Sequence, residues 1–90
     1  MIQIKKQKNK AWVSFYFNGD ANEVYIKGSW NNWEKEPMKK KKDGSFYIRK
    51  SLPLNQTFEF GYLADGKWYA DDSCEVVPTP FNSKNSILKL

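Results

Sequence analysis

Residues 57–70 read TFEFGYLADGKWYA. Phe58, Phe60 and Tyr62 occupy every second position, with Glu59, Gly61 and Leu63 between them. Because successive side chains of a strand point to opposite faces, this alternation predicts a half-buried strand over Thr57–Leu63 with its aromatic side turned inward. Asp65-Gly66 is a two-residue hairpin signal, since the favoured turn requires positive φ at both central positions. A return arm over Lys67–Ala70 follows from it.

The same period recurs along the chain. In Ala11–Phe17 the inward set is Ala11, Val13, Phe15 and Phe17, and Trp12, Ser14 and Tyr16 face outward; Asn18-Gly19 then supplies a turn tolerant of positive φ. Glu23–Gly28 places Val24 and Ile26 inward. Beyond Pro37, a short strand over Met38–Lys41 leads through an Asp43-Gly44 hairpin into Ser45–Lys50, with Phe46 and Ile48 inward and Tyr47 and Arg49 outward. Pro53 and Asn55 mark another turn. Asp71–Ser83 reads as a long acidic, Pro-containing connection, and Asn85–Leu90 as a closing strand that buries Ile87, Leu88 and Leu90. No segment has the 3.6-residue period of a helix. Short strands at regular spacing, separated by Gly-containing turns, predict an all-β antiparallel sandwich in preference to a small barrel.

At 90 residues, positions 1–90 are expected to form one domain with one modest core. Aromatic residues make up 17% of the chain, more than such a core needs, so some rings are expected at the surface. A single cysteine forms no internal disulfide, and MIQIKKQKNK lacks the apolar run of a secretory signal, which favours a reducing, cytoplasmic setting. No apolar run approaches the roughly 18 residues of a membrane helix, so no membrane association is expected. The net charge of +5 comes from 14 lysines and one arginine, Arg49. Arginine is the usual choice for bidentate phosphate or base contacts, so the skew toward lysine argues for solubility and against nucleic acid as a partner. Lys39–Lys42 fits an edge strand protected from aggregation better than a phosphate-binding patch.

Much chemistry is disfavoured by residue type. Without histidine there is no Ser-His or Cys-His nucleophile and no imidazole ligand, and one cysteine builds no structural zinc site. Asp71, Asp72 and Glu75 are too close in sequence to resemble the opposed carboxyls of a glycoside hydrolase, and read as a solvated acidic loop. Cys74 reads as an incidental thiol. Neither phosphate-cradling glycine motif occurs.

The surplus aromatics concentrate near GSWNNW, residues 28–33. Trp30, directly after a strand, suits a cap over the end of the core. Trp33 lies farther out, and Trp68 starts the return arm of the Asp65-Gly66 hairpin. Two indoles on separate elements can pave a concave apolar platform edged with amides and hydroxyls. A pyranose matches that surface: its apolar CH face stacks on a ring while its hydroxyls seek planar amide and charged partners.

Three motifs in order, VYIKGSWNNWEKEPM, FEFGYLADGKWYADD and NSKNSILKL, make residues 10–90 similar to carbohydrate-binding module family 48. That family comprises the glycogen-binding module of the AMP-activated protein kinase beta subunit and the related modules of branching and debranching enzymes. The resemblance implies an immunoglobulin-like β-sandwich, no catalytic activity, no cofactor, and recognition of α-1,4-linked glucans. Carried over position by position, it implies that Trp33 and Trp68 stack on glucose rings and that Asn85 hydrogen-bonds sugar hydroxyls. Phe81 stands where the family has a large aliphatic residue reaching over the glucan. Gly61 stands where it has an outward lysine, a change expected to remove one charged donor. The family also implies an alternative, a protein-interaction or scaffold module packed against a glucan-metabolising enzyme or a kinase-like subunit, its sugar site degraded.

Overall fold

The computed structural model describes residues 1–81 and 83–90, among which ten strands form two antiparallel sheets. Asn82, the first residue of the closing motif, lies outside them. One sheet has the order β1 (Ile2–Lys6), β2 (Lys10–Phe17), β6 (Phe46–Pro53), β5 (Lys39–Lys40). The other runs β4 (Glu36–Pro37), β3 (Val24–Gly28), β7 (Thr57–Ala64), β10 (Lys84–Lys89), β9 (Val76–Pro78). β8 (Lys67–Tyr69) also pairs with β7, along residues 62–64, beyond the stretch that β10 occupies. This is the predicted immunoglobulin-like β-sandwich.

The inward positions of the two sheets meet in one core. Ala11, Val13, Phe15, Phe46 and Leu52 come from the first sheet, and Val24, Ile26, Phe58, Phe60, Tyr62, Ala64 and Leu88 from the second. Phe15 and Phe60 cross between the layers as an edge-to-face pair with ring centroids 5.1 Å apart. The period-2 reading of β2, β3 and β7 therefore holds residue by residue.

Four details differ from expectation. Asn18-Gly19 does not close a hairpin and neither residue has positive φ: β2 is already paired on both edges, by β1 and β6, so the chain must cross to the other sheet. Ile2–Lys6 is a strand, held by its ladder to β2 although it is mostly exposed. The Asp71–Ser83 connection contains β9. Finally, Ile87 faces outward opposite Glu59, because Ser86 and Leu88 take the buried positions of β10. Ser86 tolerates burial because its hydroxyl accepts from the Asp71 amide and donates to the Asp71 carbonyl.

Asp71 corrects the picture of a solvated acidic loop. It is 3% exposed and accepts hydrogen bonds from the Tyr62 hydroxyl at 2.7 Å, the Ser73 hydroxyl at 2.6 Å and the N-terminal ammonium at 2.6 Å. Burial alone would raise its carboxyl, but these donors outweigh burial and hold it below the ordinary carboxylate value. Burial, with Asp71 adjacent, pushes the Tyr62 phenol upward.

The terminal strands of both sheet paths, β1, β5, β4 and β9, are blunted. β5 contributes Lys39 and Lys40, β1 contributes Lys5 and Lys6, and Pro37 and Pro78 sit on β4 and β9. Charge and missing N–H groups both oppose strand addition. Lys39–Lys40 thus has the edge role its composition suggested.

Candidate functional site

The GSWNNW segment turns sharply at the end of β3. Ser29–Asn31 form a single 3₁₀ turn, and Asn32 and Trp33 follow with φ of 61° and 64°. The Trp33 amide donates back to the Gly28 carbonyl at 3.0 Å, the Ser29 hydroxyl accepts from the Glu59 amide at 3.0 Å, and the Asn31 amide donates to the Glu36 carboxylate at 3.1 Å. These bonds tie the loop to β7 and β4. Asn tolerates the left-handed region, but a bulky residue there carries strain of about 1–2 kcal/mol. Such strain persists where surrounding contacts over-determine it.

The two indoles of the loop separate as the sequence suggested. Trp30 packs over the end of the core, with ring centroids 5.4 Å from Phe15 and 6.0 Å from Phe60, and its Nε1–H donates to Glu36 at 3.3 Å. Trp33 swings to the outer face of the second sheet and meets Trp68, centroid to centroid, at 6.5 Å and a 54° tilt.

Trp68 is fixed by the tight hairpin beneath it. Asp65 and Gly66 have φ of 48° and 81°, as the dipeptide predicted, and the Trp68 Nε1–H donates to the Lys84 carbonyl at 2.9 Å. Its ring lies across the backbone of β7 at Gly61: a Cβ built there would approach the indole to 2.2 Å. Gly61 is outward by parity, yet covered. It does not line the groove; it leaves room for the ring that does.

Together these elements wall an open groove of about 700 Å³. Trp33, Trp68, Asn85 and Phe81 all line it, so four of the five expected positions converge. Phe81 is 86% exposed at the turn between β9 and β10, which is pinned by the Thr79 amide to the Ser83 carbonyl at 2.9 Å and by the paired hydroxyls of the same residues at 2.8 Å. The Asn85 amide donates to Glu59 at 3.2 Å, which orients its carbonyl oxygen and remaining N–H. Lys27, Glu59, Val77, Pro78, Thr79, Pro80 and Ser83 complete the lining. Sequence reasoning passed over these seven. Lys27 and Glu59 were legible as outward positions of their strands; β9 was not, because its residues carry no alternation.

The acidic residues offer no opposed pair. Asp71 is committed to the interior, Asp72 is exposed, and Glu75 pairs with Lys89 at 3.3 Å. Burial and the Asp71 carboxylate push the Cys74 thiol upward, away from the reactive thiolate.

A sandwich bearing two indoles, an exposed phenyl, a carboxamide and hydroxyls around one open groove has the make-up of a carbohydrate-binding module. The family described as the glycogen recognition site of AMP-activated protein kinase matches residues 12–90, and the chain belongs to that family. Among its relatives, the pig 5'-AMP-activated protein kinase subunit beta-1 is 33% identical over 76 residues, and the rat and human proteins of that name are each 30% identical over 76 residues. The matched region is 84% of this chain, but 61% of the pig sequence and 27% of the rat and human ones. The chain thus spans less than two thirds of the length of each of these relatives.

Proposed function

We propose that the chain is a non-catalytic module that binds α-1,4-linked glucans of the glycogen and starch type. The observation that carries this reading is the meeting of Trp33 and Trp68 on one groove, edged by Asn85, within a chain of the glycogen-recognition family. The two rings, tilted by 54°, form a bent platform suited to successive sugar units of a curved chain rather than to one flat ligand. Asn85 orients hydroxyls and Phe81 overhangs the open side. Two stacking rings and one amide support an affinity of roughly 10 µM to 1 mM. Titration with maltoheptaose or β-cyclodextrin, followed by tryptophan fluorescence and amide NMR shifts, is expected to saturate with shifts around Trp33, Trp68 and Asn85. Unchanged spectra at high sugar would defeat the proposal.

A second reading is a protein-interaction module working in a reducing, cytoplasmic kinase complex or beside a glucan enzyme. It is favoured by the names of the relatives, which are kinase subunits much longer than the matched region. A stable complex that persists in Trp33→Ala and Trp68→Ala supports this role, and loss of that complex in both variants assigns the contact to the groove instead.

A further inference from the structure

Lys27 stands directly opposite Gly61 in the β3–β7 ladder and lines the groove. Directly opposed residues on one sheet face hold their Cβ positions about 4.5–5.5 Å apart, so the Lys27 stem rises one strand away from the backbone that Trp68 covers. Among the described residues Lys27 enters none of the ion pairs, and its ammonium does not sit over a ring as those of Lys10, Lys35, Lys40, Lys41 and Lys50 do. Of the side chains lining the groove, Lys27 alone is cationic, and the one anion, Glu59, already accepts from Asn85.

A side chain at position 61 and the present pose of Trp68 exclude one another, since even a Cβ would reach 2.2 Å from the indole. We infer that Lys27 is the charged hydrogen-bond donor of this groove, delivered from β3 to the hydroxyls of a glucan resting on Trp33 and Trp68, while Gly61 positions Trp68 by leaving its side of the ladder empty. An ammonium donor to a hydroxyl is stronger than a neutral one. The arrangement gives both stacking and charge without crowding. This inference rests on the glucan-binding reading above.

Maltoheptaose titration of the whole chain and of Lys27→Met, Lys27→Arg and Gly61→Lys tests it, with a thermal melt for each. Lys27→Met, which keeps an unbranched stem of similar length, is expected to raise Kd about 5- to 30-fold with an unchanged melt, and Lys27→Arg to recover most of the loss. Gly61→Lys is expected to weaken binding and red-shift tryptophan emission as Trp68 is lifted off β7. A wild-type chain that leaves the sugar unbound removes the glucan reading and this inference together. Wild-type affinity in Lys27→Met, with sugar binding intact, overturns the inference alone, as does tighter binding by Gly61→Lys.

Discussion

Trp33 joins the two demands on this chain in one residue. Its φ of 64° belongs to glycine or asparagine, yet the loop holds an indole there, against Trp68 and facing the groove. Trp33→Gly is expected to exchange relief of about 1–2 kcal/mol of backbone strain for the lost ring contact, leaving net stability within ~1 kcal/mol. Sugar affinity, by contrast, should fall about 5- to 150-fold, the loss of about 1–3 kcal/mol of stacking. Paired melts and maltoheptaose titrations separate the two effects. At Asp71 the consequence is stability against pH. The carboxyl is held below its unfolded value of about 3.9, so its contribution is complete above that value and is lost as pH falls through the lower folded one. Asp71→Asn is expected to cost about 1–3 kcal/mol at neutral pH, with the gap to wild type closing on acidification through that window, measured by urea melts across a pH series.

The β7–β8 hairpin illustrates how an element carries a site. Trp68 points onto the groove because a two-residue turn with φ of 48° and 81° returns the chain immediately, and because the Asp65 carboxylate accepts the Asn22 and Glu23 amides at 3.0 and 3.1 Å, anchoring the turn to the start of β3. Gly66→Val places a β-branched residue at positive φ and is expected to cost about 2 kcal/mol, loosening β8 and weakening sugar binding together. Amide NMR of residues 67–70 reads that change locally. On the other sheet, β5 shows the opposite use of sequence: Lys39 and Lys40 guard an edge. Lys39→Val with Lys40→Ile should leave the fold and groove intact while producing concentration-dependent association by light scattering.

At the scale of the molecule, one small core supports everything. Phe60 is fully buried between Phe15, Trp30 and Tyr62, at ring centroid distances of 5.1, 6.0 and 5.9 Å. Phe60→Ala is expected to cost about 3–5 kcal/mol, a large share of the ~5–15 kcal/mol that holds a small domain folded. The variant should unfold at much lower urea in a circular dichroism titration. The same ring lies beneath the Trp30 cap, so core and loop are expected to loosen together.

Strand periodicity makes most of this legible in the sequence. Asn85 and Phe81 are marked by the family resemblance alone, and the rest follows from the residues: Phe58, Phe60 and Tyr62 face inward because a strand alternates, the Asp-Gly pairs close hairpins because their glycines accept positive φ, and Trp33 and Trp68 stand out as indoles away from the core. These are local properties, and local sequence determines them. Asn18-Gly19 had hairpin chemistry but no free strand edge to return to. Asp71 looked solvated because two of its partners, Tyr62 and the N-terminal ammonium, come from other parts of the chain. Gly61 reads as a missing lysine in the sequence, but in the fold Trp68 covers it and Lys27 faces it across the ladder. Which strand is a neighbour, and which ring lies on which backbone, depends on contacts between residues distant in sequence, and only the packed tertiary structure decides those.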